Sequence, residues 1–240
     1  MAYTNSPLVT YTKLSPNHSR QRTHNIDRIT PHCVVGQCSV ETLGNIFLPK
    51  SRQASCNYGI GADGRVGMYV EEKNRSWCSS SNANDQRAVT IECASDTTEP
   101  YAFKDIVYQT LIELCTDICK RGGKTKLLWL GDKTKTLNYN PKSDEMVLTV
   151  HRWFANKSCP GDWLYSHLGE LAETVTEHLA KTPLDNTAAE WSRDAVNWAL
   201  QKGILKGNER GDLLLHSQVT REQLCVMLKR YADYYSSEHE

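Results

Sequence analysis

The sequence predicts an α/β fold, a mixed central β-sheet flanked by helices, followed by a small α-helical C-terminal domain. Three observations predict it. Short apolar runs alternate with segments of helical period through the first 180 residues, as in α/β domains. An Asp-Gly pair sits between two such runs, which marks a hairpin and hence an antiparallel strand pair. Beyond residues 181–187 the composition shifts, and only helical patterns remain. The predicted organisation is a domain over 1–180, a linker over 181–187 and a helical unit over 188–240.

Taken in order, residues 28–35 read as a buried strand, and Ser39 as the N-cap of a helix to about Leu48. Residues 57–61 and 66–70 flank Ala62-Asp63-Gly64-Arg65 as a hairpin, and 88–93 form a third central strand. Val107, Leu111, Leu114 and Ile118 recur at helical spacing, predicting a helix over 104–121 that Gly122-Gly123 stops. Residues 127–130 read as a short strand and 131–144 as a polar loop. Leu168, Leu171, Val175 and Leu179 make the face of a last helix. In the tail, one helix over 188–202 places Trp191, Ala195, Trp198 and Ala199 on one face and ends at Gly203. A second begins at Thr220, with Gln223 three residues on as in a capping box. A unit of about 50 residues is too small for a large core. It is expected to pack on the first domain or on copies of itself.

The 240 residues carry 28 basic and 28 acidic side chains, so the formal net charge is zero. A neutral chain has no global attraction to nucleic acid or anionic lipid. Residues 1–20 are polar, so no signal peptide is expected, and the absence of a long apolar run argues against a membrane span. Most of the nine cysteines are expected to be reduced thiols. Cys115 and Cys119, one turn apart, read as core packing. Cys33 and Cys38 flank a short loop and would pair only outside the cell.

The stretch Val150-His151-Arg152-Trp153-Phe154-Ala155-Asn156-Lys157-Ser158-Cys159-Pro160-Gly161-Asp162 carries the chemistry. His151 precedes Cys159 by eight residues, Lys157 precedes it by two, and His32 lies far upstream in an apolar run. Two imidazoles and a thiolate are the ligand count of a catalytic zinc with its fourth position free. A structural zinc wants a fourth protein ligand, and the chain has no CxxC pair and no HExxH. Against this stand plainer roles: a core histidine, a buried thiol, a solvated lysine. Trp77, Trp153 and Phe154 either line a sugar groove or belong to the core. His18, His24, His167, His178, His216 and His239 read as surface residues.

His32, Asn57-Tyr58-Gly59 before Asp63-Gly64-Arg65, Ile91-Glu92 and Lys157-Ser158-Cys159-Pro160 occur in an order that resembles the type 2 N-acetylmuramoyl-L-alanine amidases. That group is related to the peptidoglycan recognition proteins. The resemblance covers about residues 22–180 and is strongest to amidase endolysins of phages and prophages of Gram-positive, clostridia-like bacteria. It implies Zn2+ held by His32, His151 and Cys159, with Tyr58, Lys157 and Glu92 as catalytic residues. Zinc, Lys157 and Tyr58 would stabilise an oxyanion while Glu92 moves protons. The implied substrate is bacterial peptidoglycan, cut between N-acetylmuramic acid and L-alanine. The implied setting is synthesis in the bacterial cytoplasm and action on the wall after release. A non-catalytic recognition protein on the same fold is the alternative, disfavoured because Cys159 and both histidines are present.

The tail is similar to one S-layer homology repeat, through Trp191 to Ala199, Gly203-Ile204-Leu205-Lys206-Gly207 and Val219 to Leu224. Such repeats bind secondary wall polymers and usually come in threes. Here there is one copy, and 208–218 lacks the family's usual proline and phenylalanine. A two-helix appendage or homo-oligomerisation unit is the other reading.

Overall fold

The structure is a computed structural model and describes residues 4–180, 186–207 and 211–237. The chain divides into two compact units, Met1–Lys181 and Thr182–Glu240. Most of the expected 181–187 linker lies outside the described residues.

In chain order, unit 1 comprises β1 (Val9–Thr12), β2 (His18–Gln21), β3 (Arg28–Cys33), α1 (Val40–Phe47), β4 (Tyr58–Ile60), β5 (Val66–Met68), β6 (Asn74–Ser76), α2 (Asn82–Arg87), β7 (Ala88–Cys93), α3 (Asp105–Arg121), β8 (Lys126–Leu128), α4 (Lys133–Asn138), β9 (Glu145–Leu148) and α5 (Gly161–Ala180). Seven strands make one sheet in the order β1-β5-β4-β7-β3-β9-β8, and β2 and β6 form a separate antiparallel pair. Every neighbouring pair in the large sheet is parallel except the β4–β5 hairpin. Gly64 turns that hairpin with φ +82°, a conformation that favours glycine. The expected mixed sheet with flanking helices is what the chain forms.

Side chains alternate across a strand, so each face of the sheet has its own chemistry. On one face Ile29, Val89, Ile91, Tyr58, Ile60, Met146 and Leu148 pack in one core with Leu111, Leu114 and Ile118 of α3 and Leu164, Leu168 and Val175 of α5. Cys115 and Cys119 are buried in this core, as expected. The other face is polar. Thr30 Oγ1 meets Thr149 Oγ1 at 2.7 Å, and Asn84 of α2 donates to Thr30 Oγ1 at 3.0 Å and accepts from Thr149 at 3.0 Å. Asn57 Oδ1 accepts from Thr90 N at 3.1 Å, while its amide donates to Val70 O at 3.1 Å. Helix α1 covers part of this face, with Leu43 and Phe47 packed on Tyr69 and Cys56. Ser39 caps it by accepting from Thr42 N.

One expectation changes. The 131–144 segment holds helix α4, because Asp132 accepts from Lys135 N at 2.7 Å and nucleates a turn there. Cys33 and Cys38 are both free and belong to different clusters, Cys33 to the main core and Cys38 to the packing under α1.

Unit 2 contains α6 (Arg193–Gln201) and α7 (Arg221–Ser237). The capping box forms: Gln223 N donates to Thr220 Oγ1 at 3.1 Å and Thr220 N to Gln223 Oε1 at 2.9 Å. Gly203 ends the α6 segment with φ +66°. Trp198 contacts Tyr231 and Tyr234 of α7, and Ile204 is buried. Trp191 remains 90% exposed.

Candidate metal centre and active site

The polar face delivers the site. His32, near the end of β3, stands in register with Glu92 of β7, so both side chains leave the sheet on the same side. His151 opens a single helical turn, His151–Trp153, directly after β9. Cys159 lies just before α5, and Arg152 N donates to Cys159 O at 3.0 Å, tying together the loop that carries both residues. The fold thus brings His32, His151 and Cys159 together, with one donor atom from each within 4.8 Å of the others. His32 Nδ1 is 3.2 Å from Cys159 Sγ, and the two imidazole centroids are 5.1 Å apart.

Electrostatics favour a metal here. Burial, then the neighbouring His151, pushes the His32 imidazole well below its ordinary pKa. Burial and the Lys157 ammonium lower His151 as well. Neutral imidazoles keep the lone pairs that a metal needs. Cys159 is pushed up by the neighbouring Cys33 and by burial. A bound cation would reverse that shift, since a coordinating thiol is deprotonated. His32 Nε2 is buried with no hydrogen-bond partner, whereas Nδ1 faces Cys159 Sγ. Soft thiolate and borderline imidazole suit Zn2+. The residues therefore fit the ion.

Glu92 lies 3.9 Å from His32 Nδ1. Burial, reinforced by Cys33, raises its carboxyl to about 8. A neutral imidazole beside a raised carboxyl makes this a close approach rather than an ion pair. Lys157 and Glu92 line one cavity of about 760 Å³ with His151, Cys159 and Trp77. Of the aromatics left open by sequence, Trp77 faces this cavity. Trp153 is buried and stacked on Trp129 at 5.1 Å, and Phe154 packs against the main core. His167 is not a plain surface residue: it stacks on Trp163 at 4.1 Å.

Tyr58 is a correction. It pairs in register with Ile91, so it shares the apolar face and points away from Glu92. Its hydroxyl donates to Glu72 Oε1 at 2.7 Å and accepts from Ser6 N at 2.8 Å. Burial and Glu72 raise the phenol well above its ordinary range.

Sequence reasoning missed two residues on the loop before α2. Ser80 Oγ lies 2.9 Å from His151 Nε2, which leaves Nδ1 for a metal. Ser80 has φ +62°, uncommon for serine, and its neighbours anchor the turn: Ser79 Oγ donates to Asp85 at 2.6 Å, and Cys78 N donates to Asp85 at 3.0 Å. Cys78 Sγ donates to Glu92 Oε1 at 3.8 Å, and His32, Cys78 and Glu92 form a second set that could hold a metal. No spacing rule links residue 78 or 80 to 151; only the fold does.

The family model of N-acetylmuramoyl-L-alanine amidase matches residues 12–162, more than half of the chain, a span within which all six candidate residues lie. The chain belongs to this amidase family. Solved structures similar to this amidase include three from different sources. The Ph2119 endolysin of a Thermus scotoductus bacteriophage is 16% identical, covering 64% of this chain and 89% of its own, with a TM-score of 0.43. The endolysin LysCS from Clostridium intestinale is 17% identical, covering 76% and 94%, with a TM-score of 0.43. Drosophila peptidoglycan recognition protein SD is 18% identical, covering 64% and 85%, with a TM-score of 0.47. No curated protein matches the amidase significantly. No helix among the described residues is long and apolar enough to cross a membrane.

Proposed function

We propose that this amidase is zinc-dependent and hydrolyses the amide between the lactyl group of N-acetylmuramic acid and L-alanine in bacterial peptidoglycan. The observation that carries the reading is the convergence of His32, His151 and Cys159 beside Glu92, with His151, Cys159 and Glu92 lining one cavity. A Zn2+ held there with one position free would activate water and polarise the scissile carbonyl. Burial raises the Glu92 carboxyl above its ordinary range in the metal-free chain, which suits it to hold and release a proton as a general acid–base. Glu92 would take the proton of the attacking water and return it to the leaving amine. Lys157 brings an ammonium to the same wall, where it offsets negative charge growing on the carbonyl oxygen. Trp77 offers an aromatic face for a sugar ring.

The test is digestion of purified peptidoglycan with and without a chelator, with the new ends identified by mass spectrometry. Newly freed L-alanine amines that vanish on chelation and return with zinc are expected. New reducing sugar ends would mean a glycosidase, and binding without any new ends would mean a recognition protein.

In this reading the protein is a lysis enzyme of a phage or prophage of a Gram-positive host, made in the bacterial cytoplasm and acting on the wall after release. Unit 2 would hold it there as a single S-layer-homology-like module for a secondary wall polymer. Exposed Trp191 supports this, as does a cavity of about 510 Å³ lined by Leu205, Lys206, Glu222 and Arg230. Tethering raises the local concentration of enzyme at the wall. Truncation after Lys181 should weaken binding to intact walls and spare cleavage of soluble fragments. Equal wall binding by both forms would refute targeting, and a smaller oligomer by light scattering would assign unit 2 to self-association.

A further inference from the structure

Asp85 is a buried carboxylate with no part in the hydrolysis proposed above, and Ser80 is a serine in a glycine's conformation. A residue other than glycine holds a φ of +62° only where its surroundings impose it. Here Asp85, in the first turn of α2, imposes it. Asp85 Oδ1 accepts from Ser79 Oγ at 2.6 Å and from Ser79 N at 3.1 Å, while Oδ2 accepts from Cys78 N at 3.0 Å. On the other side Ser81 caps α2, accepting from Asn84 N at 3.3 Å. The Asn84 amide also donates to Ser79 Oγ at 3.1 Å, and its remaining bonds run to Thr30 and Thr149, two residues before His32 and His151. The turn is thus tied to the strands that deliver both imidazoles. Ser79 and Asp85 are buried, but Ser80 itself is exposed and fills no core. Its one polar contact is with His151: Oγ lies 2.9 Å from Nε2.

We propose that Asp85 and Ser80 are positioning residues for the metal: Asp85 holds the strained turn, and the turn sets the Ser80 hydroxyl against His151 Nε2, so that the ring offers Nδ1 to zinc in one orientation. The proposal rests on His151 being a zinc ligand. An imidazole bound to a metal through one nitrogen carries its proton on the other and donates it to a neighbouring acceptor. The Ser80 hydroxyl oxygen is that acceptor. Without it the ring is free to rotate, and zinc must order it on binding. Glycine would suit the backbone here better than serine does. The hydroxyl therefore comes at the expense of local strain, which the bonds to Asp85 offset.

The experiment uses the full chain, with zinc affinity read by competition against a chelating dye. Ser80→Ala and Ser80→Gly should each weaken zinc binding about tenfold, the low end for loss of a bond behind a metal ligand, because this bond is open to water. Melting of the metal-free proteins separates positioning from folding. Glycine adopts φ +62° without strain, so Ser80→Gly should melt no lower than wild type. Weaker zinc binding in a variant of equal or higher stability is a result that a merely structural role cannot give. Asp85→Asn leaves the turn one acceptor short; it should weaken zinc binding in the wild-type background and add nothing in the Ser80→Gly background. Unchanged affinity in both Ser80 variants would overturn the proposal. Tighter binding would overturn it too, by putting the metal on Nε2. Equal losses from Asp85→Asn in both backgrounds would take Asp85 out of the path to His151. If Asp85→Asn does not fold, the two Ser80 variants decide. A wild type that takes up no zinc would instead refute the metal reading on which the proposal rests.

Discussion

The two faces of the central sheet are built from the same strands and solve burial in opposite ways. Toward α3 and α5, Ile29, Ile91, Leu148 and Tyr58 fill space with apolar surface. Toward α1 and α2, Thr30, Thr90 and Thr149 are buried too, but there every hydroxyl meets Asn57, Asn84 or another threonine. A buried polar group without a partner costs about 1–3 kcal/mol, so such a face is stable only when its hydrogen bonds close. They close everywhere along these strands except at the far end. His32 Nε2 and Glu92 Oε2 are buried without partners. The polar face teaches that the site is the place where the network is left open, and an open place is where a ligand can be held.

The sharpest way to test this is to remove the ligands. Cys159→Ala or His151→Ala should reduce zinc from one per chain toward none and turnover to background, by metal analysis and peptidoglycan digestion. Cys78→Ala should keep its zinc. The reverse pattern would place the metal on His32, Cys78 and Glu92 and move the centre one side chain along the same face.

Glu92→Gln should keep zinc and lower turnover on the order of 100-fold to 10,000-fold, the usual worth of a positioned acid–base group. It should also separate the faces by pH. Because burial raises Glu92 from 4.5 to about 8, its contribution to stability is present at acidic pH and is lost as pH rises through about 8. Metal-free wild type should therefore lose more thermal stability between about pH 5 and about pH 8 than metal-free Glu92→Gln. Parallel curves would mean that the carboxylate is solvated in the folded state. Lys157→Ala should cost less, roughly 100-fold in turnover with zinc retained, as for loss of one oxyanion partner. Unchanged turnover would leave the metal as the sole source of polarisation.

Much of this was legible in the residues. The run Val89-Thr90-Ile91-Glu92-Cys93 alternates, and that alternation alone puts Glu92 opposite the core and Ile91 in it. The same rule applied to Asn57-Tyr58-Gly59-Ile60 separates Asn57 from Tyr58, and it places the tyrosine with the core. Matching Tyr58 to a family position overrode that parity and was wrong in direction. The metal ligands were legible because loop chemistry around Lys157 and Cys159 is local. Ser80, Cys78 and Asn84 were not, since each acts through a partner at least 14 residues away in the chain, and no short-range spacing records such a meeting. Strands β1, β2 and β9 were missed for a different reason. Each is only four residues long, β2 is polar throughout, and β9 lies beside a helix that read as loop.

The smallest expected effect is the most discriminating. Tyr58→Phe keeps the ring in the apolar core and deletes only a hydroxyl that bonds Glu72 and Ser6. Glu72 remains paired with Arg121, at 2.6 Å, so no buried charge is stranded. Ser6 N loses its acceptor. The variant should lose about 1 kcal/mol of stability, the net worth of a typical buried hydrogen bond, as read by chemical denaturation. Zinc content and turnover should stay within about twofold of wild type, because transition-state donors are worth far more than that when removed. A loss of turnover matching that of Glu92→Gln would mean that the tyrosine reaches across the sheet during catalysis. The division of labour between the two faces would then fail.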